Sequence, residues 1–264
     1  VLISDGKKSI QKNKLCIEGE FPDLEAYYRT KDGIVTGSME LGDVLKKYKA
    51  IKYAISENDT RPMFSGCVFY NNTIFGVDGY RAAICKGLDV PFENQISIPV
   101  VAMEIMTKIF KSKVSFAHFR TITPAIFFSD NSYDFITKLI DVAPGNEFTF
   151  EKFVPNEFVD EFLVDAKEME SAAKYFETFC KNNDDYIVFV DDRMVTNEAE
   201  YKLPNNISCK TIIGFDPKKF KEAMCQFSGT ITMKLAGTTS PAIFEQGDDM
   251  ALLLPIRIDN KRMV

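Results

Sequence analysis

Tryptophan is absent from the 264 residues, and histidine occurs once, at His118. A lone histidine in a strand-like segment is more often structural than catalytic, so histidine-based proton transfer is not expected. The six cysteines (Cys16, Cys67, Cys85, Cys180, Cys209, Cys225) include no C-x-x-C pair. That spacing argues against a zinc site or a disulfide framework, and for reduced thiols, mostly in the core of a cytoplasmic protein. Phosphate-cradling G-x-x-x-x-G-K-[ST], G-x-S-x-G and H-E-x-x-H are all missing, which removes the common signatures of nucleotide, serine and zinc hydrolases. Asp184-Asp185 and Asp191-Asp192-Arg193 are carboxylate clusters, but they flank a strand as turn residues and lack a cation-loop spacing. No catalysis, cofactor or metal is therefore expected. No apolar run approaches the ~20 residues of a membrane-spanning helix, and no membrane partner is expected.

What is present is apolar mass and repetition. Apolar residues make up 45 % of the chain, with 23 Phe and 10 Tyr, enough for one large core or two ordinary ones. From Ile34 a short strand leads into Leu41, Val44, Leu45, Tyr48, Ile51 and Ile55 at helical spacing, an amphipathic helix of about four turns. Strand-like runs follow at 66–70, 73–77 and 82–85. The pattern restarts with a strand at 95–98, a helix through Ala102, Ile105, Met106 and Ile109, and strands near 114–117, 125–128 and 133–140. It restarts again at 158–164, where Asp165 and Glu168 make a helix cap, and at 211–214, where Asp216-Pro217 opens a helix. A unit of strand, helix and about three strands thus recurs four times near every 60 residues, the mark of one supersecondary unit reused. Paired units predict an α+β fold with helices on one face and sheets on the other, in two domains at 34–143 and 156–258. Residues 144–155 form a Pro/Gly/Asn-marked linker, 259–264 a tail, and 1–33 the end of something longer.

Net charge is −6 and the isoelectric point about 5.1, which alone argues against a nucleic-acid partner. The distribution says otherwise. The four helical segments hold a surplus of six positive charges, leaving a net charge of −12 elsewhere. Lys167, Lys174 and Lys181 fall seven apart on one stripe. Lysines on amphipathic helices are ordinarily a solvated face; their fourfold recurrence is what suggests a surface for phosphates. Nothing is positioned to read bases, so binding would be independent of sequence.

The most distinctive stretch is Arg61-Pro62-Met63-Phe64-Ser65-Gly66-Cys67-Val68-Phe69-Tyr70, then Asn71-Asn72 and Thr73 to Arg81. It reads as a hairpin whose far end, Asp78-Gly79, is a second turn presenting Tyr80 and Arg81. Thr60-Arg61-Pro62, Gly66-Cys67-Val68-Phe69 and Val77-Asp78-Gly79-Tyr80-Arg81-Ala82-Ala83 together resemble the middle domain of the bacterial sliding clamp, the β subunit of DNA polymerase III. Ser240-Pro241-Ala242-Ile243 and Leu252-Leu253-Leu254-Pro255-Ile256-Arg257-Ile258 are similar to the end of the same family's last domain, and Phe21-Pro22-Asp23-Leu24 to the end of its first.

The resemblance implies a non-catalytic processivity factor for DNA replication. Helices would line a hole through which double-stranded DNA slides, and a homodimeric ring would form when the protein is full length. It also implies a pocket between the middle and last domains for short peptides of the polymerase III catalytic subunit, the clamp loader and repair proteins. Carried over residue by residue, the pocket would comprise Phe64, Val77, Gly79, Tyr80, Arg81, Ala82, Pro144, Lys152, Phe153, Ser240, Leu252, Leu254, Pro255, Ile256 and Arg257. The DNA-facing set would be Lys46, Lys47, Lys49, Asn58, Arg61, Met63, Lys108, Lys111, Lys167, Lys174, Lys181, Lys218, Lys219 and Lys221. Tyr80 stands where His is familiar, Ala82 where Leu is usual and Leu254 where Met is common, and 145–151 is lengthened. The family closes its ring through a first domain largely absent from this sequence. Either the chain is part of a longer protein, or a two-domain variant closes otherwise. A clamp-derived peptide scaffold that does not encircle DNA is the alternative.

Overall fold

The computed structural model describes residues 2–4, 9–11, 34–56, 62–119, 124–140, 147–180, 185–204 and 207–258. Two short paired strands, β1 (Leu2–Ser4) and β2 (Ser9–Gln11), precede the repeats.

Four strand-helix-strand-strand-strand units then follow in order. The first is β3 (Ile34–Glu40), α1 (Leu41–Ile51), β4 (Gly66–Tyr70), β5 (Thr73–Val77) and β6 (Arg81–Cys85). The second is β7 (Ile96–Pro99), α2 (Val100–Ile109), β8 (Lys113–Phe119), β9 (Ala125–Ser129) and β10 (Asp134–Lys138). The third is β11 (Asp160–Asp165), α3 (Ala166–Glu177), β12 (Ile187–Asp191), β13 (Arg193–Val195) and β14 (Glu200–Lys202). The fourth is β15 (Cys209–Phe215), α4 (Pro217–Met224), β16 (Thr230–Leu235), β17 (Ala242–Gln246) and β18 (Asp249–Leu253).

Local chemistry explains the element ends. Asp165 caps α3 by accepting from the Glu168 amide at 2.9 Å, and Asp216 caps α4 by accepting from the Lys219 amide at 3.0 Å with Pro217 in the first turn. Both caps satisfy amides that a helix start would otherwise leave orphaned. The β4–β5 turn places Asn71 at φ 41° and Asn72 at φ 57°, the paired left-handed conformations of a tight hairpin turn that asparagine tolerates. Helix α1 is shorter than its apolar spacing suggests. It ends at Ile51, and a 3-10 turn at Lys52–Ala54 carries the periodicity on to Ile55.

Strands are exchanged between units. Within each half, the first strand of one unit joins the sheet of the other: β3 pairs with β8, β7 with β4, β11 with β16 and β15 with β12. The sheet orders are β10-β9-β8-β3, β14-β13-β12-β15 and one eight-stranded sheet, β11-β16-β17-β18-β6-β5-β4-β7. The long sheet is continuous because β18 pairs with β6 antiparallel, Ala251 facing Ala83 and Leu252 facing Ala82.

Alternation across that seam divides the core. Ala83 and Cys85 turn inward with Phe69 and Ile74 against α1 and α2, while Ala251 and Leu253 turn inward with Met233 and Phe244 against α3 and α4. The opposite parity, Val77, Ala82, Ile84, Ile243 and Leu252, faces outward and joins Phe64, Val68, Phe75 and Phe150 in a third cluster. Each large apolar side chain buried this way contributes roughly 1.5–3 kcal/mol. Helices thus cover one face of the long sheet. The other face is covered by an aromatic segment rather than by a helix. Cys67, Cys85 and Cys209 are buried thiols as expected, whereas Cys225 is exposed; Cys16 lies outside the described residues.

Candidate functional site

The end of the first hairpin and the end of the last strand meet at one end of the seam. Leu253 pairs with Arg81, and the Leu254 amide donates to the Tyr80 carbonyl at 2.8 Å. The turn before β6 is held by Asp78, whose Oδ1 accepts from the Tyr80 amide at 2.9 Å and the Arg81 amide at 3.1 Å. Gly79 sits between them at φ 86°, a conformation that side-chain-bearing residues resist. Tyr80 is thereby pushed out, 62 % exposed, next to Leu254 at 37 %. Ser240 half-emerges from the turn before Ala242, the residue that pairs with Leu253.

Arg81 does not project as a free cation. Its guanidinium is 11 % exposed, donates through Nε to Asp78 Oδ2 at 2.9 Å and through Nη1 to Glu222 Oε2 of α4, and lies 5.0 Å above the Tyr53 ring. Burial alone would lower its affinity for a proton, but Glu222 and Asp78 more than offset this and hold it charged. Gln226, following α4, completes the joint. Its carboxamide donates to the carbonyls of Ile84 and Met250 at 3.3 and 3.1 Å, one on each side of the seam, and accepts from the Tyr53 hydroxyl at 2.9 Å. Burial pushes the Tyr53 phenol well above its ordinary value, so it remains a neutral donor. Lys219 of α4 reaches back to sit 5.2 Å over the Tyr80 ring.

Of the residues expected to line a pocket, Val77, Gly79, Tyr80, Arg81, Ala82, Ser240, Leu252, Leu254 and Pro255 come together at this end of the seam. Phe64, Val77, Ala82 and Leu252 are buried inside the outer cluster rather than open to solvent. Lys152 and Phe153 are exposed on a 3-10 turn, Phe150–Phe153. Beyond Leu254 the chain leaves the long sheet. Ile256 exchanges a bridge with Gly214 of β15, its amide donating to the Gly214 carbonyl at 2.8 Å, and Arg257 follows it exposed. Pro144 lies outside the described residues.

The expected DNA-facing lysines divide. Lys46 and Lys49 of α1, Lys108 and Lys111 near α2, Lys167 and Lys174 of α3 and Lys218 of α4 are exposed. Lys46 is paired at the surface with Asp43 at 2.7 Å, and Lys111 Nζ donates to the Thr107 carbonyl. Three others are engaged by a carboxylate on another element or at the helix cap. Lys47 donates to Asp249 of β18 at 2.5 Å, Lys219 to its own cap Asp216 at 2.9 Å, and Lys221 to Glu177 of α3 at 2.6 Å. The exposed side of α2 also carries Val101, 71 % exposed, and Ile105. Asn58, Arg61 and Lys181 lie outside the described residues, as does the side chain of Met63.

The joint residues Tyr53, Gln226 and Glu222, and the outer-face aromatics Phe148, Phe150 and Phe158, were not singled out by spacing or motif. The aromatics did leave a trace: Phe148, Phe150 and Phe153 crowd a stretch that composition marks as a linker, and Phe158 follows just after it.

Comparison with known proteins bears on the fold. The fold is similar to those of solved clamp structures. A putative DNA polymerase III β subunit from Eubacterium rectale superposes with a TM-score of 0.67 at 15 % identity, over 84 % of this chain and 65 % of that one. The DNA polymerase sliding clamp of Bacillus subtilis gives 0.71 at 19 % identity over 98 % and 72 %. The Helicobacter pylori β clamp, solved bound to a DNA ligase peptide, gives 0.70 at 16 % identity over 97 % and 73 %. The chain has the sliding-clamp fold. It spans a little under two thirds of the Eubacterium rectale protein's length. No family model and no curated protein matches it in sequence. Within the clamp fold, the seam between β6 and β18 is where the two described halves join.

Proposed function

We propose that the protein is a sliding-clamp processivity factor, a non-catalytic ring subunit that holds double-stranded DNA without sequence preference. In this reading it also docks peptides of a replicative polymerase, its clamp loader and repair proteins beside the β6–β18 seam. The observation that carries the reading is the juxtaposition of Gly79–Ala82 with Leu252–Pro255 on a fold whose helices share one face of the long sheet. Apolar walls with a few polar groups suit an anchoring aliphatic or aromatic side chain of a short peptide. The exposed lysines of the four helices would hold phosphates as point charges. The Helicobacter pylori clamp's ligase peptide is the natural probe. It should bind, and Leu254→Asp should abolish binding; equal affinity for both proteins would refute the site.

A second reading, a peptide-binding scaffold of clamp fold that does not encircle DNA, is favoured by one observation. Val101 and Ile105 stand exposed on α2, where a DNA-lining helix would carry cations. A protein that binds the peptide yet shows no salt-dependent DNA association supports the scaffold.

A further inference from the structure

The outer face of the long sheet is closed by residues 147–158. Phe148 packs edge-on to Phe64 with centroids 6.4 Å apart and tilts against Phe75 at 5.8 Å, while Phe150 is buried 5.9 Å from Phe75. Phe153, half exposed, stacks on Phe148 at 5.4 Å with ring planes 10° apart. Val154 and Phe158 continue the cover toward the second half. Phe64 and its neighbours Val77, Ala82 and Leu252, the apolar floor a docking peptide would need, are buried in the same cluster.

The cover is attached in a particular way. Among the described residues, no strand of the sheet pairs with it. Its turn is closed on itself, Lys152 amide to Thr149 carbonyl and Val154 amide to Glu151 carbonyl, both at 3.3 Å. The Gln95 side chain grips the main chain of Phe148 on both sides, donating to its carbonyl at 2.7 Å and accepting from its amide at 3.1 Å. Buried Phe150 anchors the segment. Phe148 and Phe153 form a stacked pair that can leave together without breaking a ladder.

We propose that residues 147–154, anchored at Phe150, are a displaceable strap that covers the peptide site's apolar floor, and that a partner peptide gains the floor by lifting Phe148, with Phe153 stacked on it, off Phe64 and Phe75. This rests on the peptide-site reading above. The strap imposes a preference: a peptide must supply apolar side chains able to replace two stacked phenyl rings, so short polar ligands are rejected. It also makes affinity depend on how often the strap is open, since a binding-competent fraction f weakens apparent affinity by 1/f.

The test uses the ligase peptide named above, with wild-type protein and Gln95→Ala, a substitution outside the site that removes the grip on Phe148. Removing two such hydrogen bonds should raise the open fraction by about ten-fold, so Gln95→Ala should bind the peptide about ten-fold more tightly. In wild type, amide hydrogen exchange over 147–154 should speed up when the peptide is bound. Binding to wild type with unchanged affinity in Gln95→Ala, or with slower exchange over 147–154, overturns the strap and leaves the site standing. Binding to neither protein overturns the site and the strap with it. Binding to Gln95→Ala alone supports both.

Discussion

Arg81 shows how a residue carried over as a pocket wall can owe its place to something else. Its charge sits between Asp78 and Glu222 over the Tyr53 ring and ties the hairpin end to α4. Removing one partner of a buried ion pair leaves the others uncompensated, at a cost of about 3 kcal/mol. Arg81→Ala should therefore lower the midpoint of urea unfolding by that equivalent, and Arg81→Glu, which adds a third carboxylate, should lower it further. Neither is a clean probe of binding. Leu254, at 37 % exposure, is one: Leu254→Asp should leave the unfolding free energy within about 0.5 kcal/mol of wild type while peptide binding is lost. Gln226→Leu tests the joint. It strands the Ile84 and Met250 carbonyls and the Tyr53 hydroxyl, so a loss of roughly 2–4 kcal/mol is expected by chemical denaturation.

At the scale of elements, what was legible in the sequence is what depends on near neighbours. The Asp165/Glu168 and Asp216-Pro217 caps, the Asn71-Asn72 turn and the four helices lie where their short-range signals placed them, because each is decided within a few residues. Pairings across the chain were not legible. Lys221 and Glu177 are 44 residues apart and Lys47 and Asp249 are 202 apart, so two lysines counted toward a basic face are engaged in ion pairs that spacing cannot foresee. The strap was hidden for another reason: Pro144-Gly145-Asn146 marks a break, and the phenylalanines after it carry no period. The α4 cap makes a further prediction. Burial opposes charge on Asp216, yet the Lys219 side chain and amide outweigh it and hold the carboxyl below its ordinary value of 3.8. A depressed carboxylate contributes stability above its unfolded value and loses it as pH falls through the folded one. Melting temperature should thus fall from pH 3.8 downward, and Asp216→Asn, which keeps a capping oxygen, should flatten that acid limb.

For the whole molecule, two halves share one sheet and one buried joint, so they should unfold together rather than in steps. The proposed DNA role rests on the exposed lysines left without an ion pair or a main-chain hydrogen bond from the ammonium among the described residues: Lys49, Lys108, Lys167, Lys174 and Lys218. Each phosphate contact adds about 0.9 to the slope of log affinity against log salt, so this chain should contribute a slope of about −4.5 or shallower, measured by fluorescence anisotropy on duplex DNA. The most direct test of the clamp account is topological. The protein containing these 264 residues would be loaded by a bacterial clamp loader onto a nicked circular plasmid, and its retention followed before and after the circle is cut. The account predicts persistence on the circle and rapid loss from the linear ends. Equal lifetimes on both forms would contradict it.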